Sequence, residues 1–219
     1  MRMDPGYPDA ICFDHSFLRH GKELPTTVIQ NQLESGGTGQ VRSFSYRACG
    51  ISKRHLFDSA AHEGGYAVVA TGHNLDDEAA VLFGNVLRWE IEYLARQRPV
   101  LPERDGFPRK VKPLVRLSER ETAAYCVLRG IDYQVEECPM AAGNRHLGYK
   151  DALNAIEVQS PGTKHAFYFA FLERIAPSLD TGADDEKDGL TPCIRCGAPA
   201  SAEICSFCRL VDLATRDTR

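Results

Sequence analysis

Four cysteines near the C-terminus have the spacing of a closed metal shell. They form two knuckles, Cys193-Ile-Arg-Cys196 and Cys205-Ser-Phe-Cys208, separated by residues 197–204. Two short turns at that separation can face each other and set four sulfurs around one ion. Four thiolates complete a tetrahedral Zn²⁺ shell and leave no open position for substrate, so the expected role is structural. Gly197 suits a tight turn whose amides approach the sulfurs. Disulfides or unrelated buried thiols are the alternatives, but doubled Cys-x-x-Cys favours zinc. Pro192-Cys193-x-x-Cys196 lacks the His-x-Glu partner of a zinc deaminase.

A second candidate is Thr71-Gly72-His73-Asn74-Leu75-Asp76-Asp77-Glu78, placed where an apolar strand should turn into a helix. Open α/β sheets bind ligands outside the carboxyl ends of their strands. Gly72 would allow close backbone approach, His73 would sit on the loop, and carboxylates would occupy the first helical turn. The same residues also make an ordinary helix start: Asn74 as N-cap, Asp77 three residues on, acids offsetting the dipole. Further thiols flank this unit. Cys49, beside Lys53 and Arg54, is expected near a helix N-terminus, where it would have thiolate character unless it is simply buried. Cys138-Pro139 follows an expected strand, and Cys126 is expected in a helix core. Ser35-Gly36-Gly37 has no strand before it and no Asp-Ser after it, and reads as a loop.

These groups need a scaffold. With 219 residues and 43% hydrophobic content, the chain suits one medium domain plus an appendage. Eight cysteines and an opening, Met1-Arg2-Met3-Asp4-Pro5, without an apolar leader lead us to expect the reducing cytoplasm and no membrane. A net charge of −4 argues against non-specific coating of nucleic acid. A local basic stretch, residues 88–116, is either a solvated loop or a phosphate-contacting surface. Residues 1–45 are poorly readable. A helix from Lys53 should stop at Gly64-Gly65, and Tyr66–Thr71 should form a buried parallel strand. A long helix should follow, with Ala79, Leu82, Phe83, Val86, Leu87, Ile91 and Leu94 on its apolar side. We then expect a Pro99–Pro108 loop, a Val111–Val115 strand, and a helix opened by a Ser118/Glu121 capping box and ended by Gly130. A Tyr133–Glu137 strand and helices at Asn144–Val158 and Lys164–Ile175 complete the pattern. The expected class is α/β with a partial Rossmann-like parallel sheet over 46–179, an acidic linker at 180–189 and a zinc ribbon or knuckle module at 190–212.

Taken together the chain resembles the ATP-dependent tRNA 2-thiolation proteins of the PP-loop superfamily, the thiouridine and thiocytidine synthetases. The matching strings are Cys49-Gly-Ile-Ser-Lys53-Arg54, Ala70-Thr-Gly-His-Asn-Leu-Asp-Asp-Glu78, Lys112-Pro113-Leu114 followed by Glu121, Glu137-Cys138-Pro139, Ser160-Pro-Gly-Thr-Lys-His165 and the four-cysteine C-terminus. The resemblance is greatest to archaeal-type members with a C-terminal zinc module, and implies an adenine nucleotide alpha-hydrolase-like fold. It implies that ATP adenylates a uridine or cytidine carbonyl oxygen of tRNA and that sulfur then replaces it. It places Lys53 and Asp77 in catalysis, Gly72 and His73 beside the nucleotide, and Cys49 and Cys138 at an iron–sulfur cluster or in sulfur handling. It also implies tRNA and a ubiquitin-like sulfur carrier as partners.

The family's pyrophosphate loop, Ser-Gly-Gly-x-Asp-Ser, is not found in this sequence, and Tyr46 stands where the family has the first cysteine of a Cys-x-x-Cys. The leading expectation is therefore a truncated, split or degenerate thiolation protein, partnered by a separate PP-loop subunit or forming a homodimer, with independent catalysis in question. The alternative is a non-catalytic tRNA- or partner-binding protein that keeps the half-sheet and zinc module. A zinc-stabilised domain without an RNA role is the third reading.

Overall fold

A computed structural model describes residues 10–11, 39–104, 106–133, 135, 144–179 and 189–216. Its centre is a four-stranded sheet in the order β1-β2-β4-β3, made of β1 Ala10–Ile11, β2 Val68–Ala70, β3 Val100–Leu101 and β4 Arg109–Val111. β1, β2 and β4 run parallel, with Val69 opposite Lys110, and β3 joins β4 antiparallel. The class is α/β with a partial parallel sheet, as the alternation of apolar runs and helical patterns requires.

Helix α1 spans Gly39–Glu63 and therefore begins well before Lys53. A turn at Gly64-Gly65, closed by Tyr66 N–H donating to Ala61 C=O at 2.9 Å, sends the chain back into β2. Helix α2, Leu75–Arg88, carries the buried Ala79, Ala80 and Leu82. It does not continue to Leu94. Trp89 takes a left-handed conformation (φ 52°) and ends it, and α3 is a separate short helix, Ile91–Ala95. Leu94 is buried, whereas Leu87, in the last turn of α2, and Ile91, just past the break, face solvent at 56% and 50% exposure.

The Pro99–Pro108 stretch holds β3, so it is not a plain loop. The expected Val111–Val115 strand lies earlier, at Arg109–Val111. Pro113 cannot donate to a ladder, and the chain turns after Lys112, with Val115 N–H donating to Lys112 C=O at 3.3 Å. Helix α4, Glu119–Arg129, has the anticipated Ser118/Glu121 capping box and the Gly130 cap. It buries no residue, so Cys126 is half-buried rather than core. Tyr133 and Val135 lie outside any strand; the rest of the expected Tyr133–Glu137 strand, with Cys138, lies outside the described residues.

Helix α5, Arg145–Gln159, is capped by the Asn144 side chain, which accepts from His146 N–H at 3.1 Å. Helix α6, Thr163–Ala170, runs through a π-helical turn, Phe171–Ile175, into α7, Ala176–Leu179. The main core unites Leu75, Leu82, Leu94, Val115, Tyr168, Phe171 and Ala176. Gly84 allows α2 and α5 to meet: a Cβ there would lie 2.6 Å from the Tyr149 ring. The C-terminal module is a hairpin, β5 Thr191–Pro192 with β6 Pro199–Ala200, followed by α8, Ser206–Arg216. It rests on α1, where Leu210 and Ala48 are buried together. No described helix is long and apolar enough to cross a membrane.

Leu82→Ala should lower the unfolding free energy by about 2–5 kcal/mol through an unfilled core site. Ser118→Ala, which removes only a cap, should cost about 1 kcal/mol. Urea denaturation followed by circular dichroism measures both.

Candidate functional site

The strand-to-helix turn after β2 is the candidate site. The Asn74 side chain accepts Asp77 N–H and the Asp77 carboxylate accepts Asn74 N–H, both at 3.1 Å, so the turn is fixed by a reciprocal cap. His73 is exposed on the turn, and its Nδ1 is hydrogen-bonded to Thr71 Oγ1 at 2.8 Å. Gly72 is also exposed.

Behind the turn, each of three consecutive acids has its own lysine. Lys164 reaches the buried Asp76, and Lys150 reaches Asp77 at 2.7 Å and Glu119 at 3.3 Å. Lys112 reaches Glu78 at 2.7 Å. The other Asp76 oxygen accepts Glu119 N–H at 2.8 Å, tying the start of α4 to that of α2, while Asn154 Oδ1 accepts a second proton from Lys164 at 2.7 Å. Tyr168 Oη donates to Glu78 at 3.3 Å; burial, reinforced by the Glu78 charge, pushes its pKa well above the ordinary phenol value. Burial alone would lower the Lys150 pKa, but the Asp77 hydrogen bond and charge, helped by Glu119, outweigh it and leave it raised. The Ser160–His165 segment is held by Glu157, whose carboxylate accepts Lys164 N–H at 2.8 Å and Gly162 N–H at 2.6 Å. Sequence reasoning singled out Asp77 but missed Asp76, Lys150 and Lys164. The string containing Lys164 was visible; its partner, 88 residues earlier, was not.

Cys49 and Lys53 lie one turn apart on α1, well inside the helix, so no helix N-terminus activates Cys49. Their height is fixed by Asp58, which pairs at 2.7 Å with Lys110, the β4 residue opposite Val69. Lys53 is five residues before Asp58, a rise of about 7.5 Å, or roughly two strand residues beyond Val69. By that count the Lys53 turn of α1 runs roughly level with Thr71 and Gly72. Cys138 lies outside the described residues, as does the segment with Ser35.

The four knuckle sulfurs converge, all lying within 4.8 Å of one another. A tetrahedral zinc shell needs sulfurs about 3.8 Å apart, so the donor set fits one ion after slight contraction. Cys193, Cys205 and Cys208 are buried and Cys196 is exposed. Amide donors, first Cys205 N–H at 3.3 Å and then those of Arg195 and Cys196, bring the Cys193 thiol down to about 6. Burial pushes the Cys208 thiol up. Gly197 has the positive φ, 73°, that the knuckle turn needs.

No family model matches the chain. Over 169 residues it is 53% identical to the tRNA-5-methyluridine(54) 2-sulfurtransferase of Thermus thermophilus, covering 77% of this chain and 52% of that protein. The protein of the same name from Pyrococcus horikoshii is 42% identical over 177 residues, 79% of this chain and 56% of that one. The chain thus spans about half the length of these relatives. The structure of the U34-tRNA thiolase NcsA of Methanococcus maripaludis, described with its 4Fe-4S cluster, matches with a TM-score of 0.59 at 22% identity. That match covers 76% of this chain and 52% of the NcsA chain, and shows the shared fold. The chain is a homologue of the tRNA 2-thiolation proteins, the family its motifs resemble.

Lys164→Met leaves Asp76 buried without its cation and should cost about 3–5 kcal/mol, while Asp76→Leu with Lys164→Met should recover much of that loss. Thermal and urea unfolding of the three proteins checks the pair.

Proposed function

We propose that the protein carrying this chain performs ATP-dependent 2-thiolation of a tRNA uridine, with 5-methyluridine at position 54 as the substrate. The supporting observation is the 53% identity over 169 residues to a sulfurtransferase of that name. In this reading ATP adenylates the base's carbonyl oxygen and sulfur displaces the adenylated oxygen. Lys53 steadies the developing negative charge, and Asp77 positions a proton or cation beside the reacting base. Gly72 and His73 border the nucleotide. Cys49 and Cys138 would hold an iron–sulfur cluster, which would supply sulfur handling, with a ubiquitin-like carrier as donor. The donors for the ATP phosphates would come from residues outside this sequence, in the same protein or in a separate PP-loop subunit. Cys193, Cys196, Cys205 and Cys208 hold a structural zinc, and the reducing cytoplasm suits all these thiols.

Deleting the coding sequence in its source organism should abolish 2-thio-5-methyluridine in digested tRNA, read by mass spectrometry. Re-expressing the parent should restore it, and Lys53→Ala or Asp77→Asn should lower it by about 100-fold or more, the scale of a lost acid–base or electrostatic group. Unchanged tRNA thiolation in the deletion strain would overturn the proposal. Elemental analysis should find one zinc per chain, and a chelator should lower the melting temperature.

A further inference from the structure

The C-terminal module touches α1 across the helix from the residues assigned to chemistry. Ala48, 1% exposed, is buried against Leu210, 4% exposed, and Ile51 packs on the pair. One turn further, the His55 ring stacks on Phe207 with centroids 4.1 Å apart and planes 13° from parallel. Phe207 lies between Cys205 and Cys208, so the helix rests directly on the second knuckle. On α1, residues 48, 51 and 55 make one stripe, and Cys49 and Lys53 make another, about 150° around the axis and so nearly on the opposite side. Anything that sets the rotation of the first stripe also aims the second.

We infer that Phe207 and Leu210 are positioning residues: the metal-organised knuckle braces α1 and thereby presents Cys49 and Lys53 at the sheet edge. The importance of those two residues rests on the thiolation reading, but the brace itself does not. It separates two parts of the module: the sulfurs organise the knuckle, and the ring and aliphatic side chain carry that order to the helix.

The test is the alkylation rate of Cys49 by N-ethylmaleimide in the zinc-loaded full chain, read on its own peptide by mass spectrometry, without RNA or nucleotide. Phe207→Ala, and His55→Ala made from the helix side with the module intact, should each speed Cys49 modification about fivefold or more, the scale of a modest local loosening. Stripping the zinc should do the same, and Phe207→Tyr should restore the parent rate. Cys126 on α4 should not change. A Cys49 rate that is unchanged or slower in His55→Ala and Phe207→Ala overturns the proposal. So does a parallel rise at Cys126, which would make the module a general stabiliser. Because neither tRNA nor ATP takes part, a failure here leaves the thiolation reading standing, and failure of that reading leaves the brace intact.

Discussion

The buried pairing of Asp76 with Lys164 is the constraint on which the site's geometry depends. Both side chains are almost wholly withdrawn from water, and neither charge could remain there without the other. The pair draws three separate segments to one point. Asp76 opens α2, Lys164 opens α6, and the second Asp76 oxygen takes the first amide of α4. Asn154 on α5 completes the donor–acceptor count. A hydrophobic contact would hold these elements together equally well, but it would tolerate sliding. A hydrogen-bonded ion pair specifies register, and here it fixes the start of the helix that carries Asp77.

The neighbouring pairs extend this order outward. Glu78 ties α2 to Lys112 at the end of β4 and to Tyr168 in the core. Asp77, nearer the surface, shares Lys150 with Glu119. Burial thus decreases from a locked carboxylate to a partly accessible one within a single helical turn. The accessible member is the one assigned to chemistry, and its rigid neighbours keep the turn from fraying.

Local signals were readable wherever one segment contained its own explanation. The caps at Asn74, Ser118 and Gly130, the apolar run of β2 and the paired knuckles all carry their physics within a few residues. What escaped the sequence was set elsewhere. α1 was missed before Lys53 because Gly50 sits mid-helix, and a glycine there costs about 1 kcal/mol against alanine; packing on the C-terminal module offsets it. The end of α2 at Trp89 was hidden because an apolar pattern continued past it and no glycine marked the left-handed cap. The β4 strand was placed too late because Val115 is buried from a turn rather than a ladder. The lysines of the site stand 34, 73 and 88 residues from their acids, distances at which periodicity says nothing.

The self-capped start of α2 also decides where a phosphate cannot sit. Helix N-termini often serve as anion cradles, offering free amides and the positive end of a dipole. Here the Asn74 and Asp77 side chains occupy the capping donors, and three carboxylates fill the first turn. An approaching triphosphate would find the capping donors taken and the first-turn charges already neutralised by lysines. The turn is better suited to a neutral base or sugar. Two opposed electrostatic halves follow for any nucleotide bound at this edge: its uncharged end against Gly72 and His73, and its anionic end against donors from a different element.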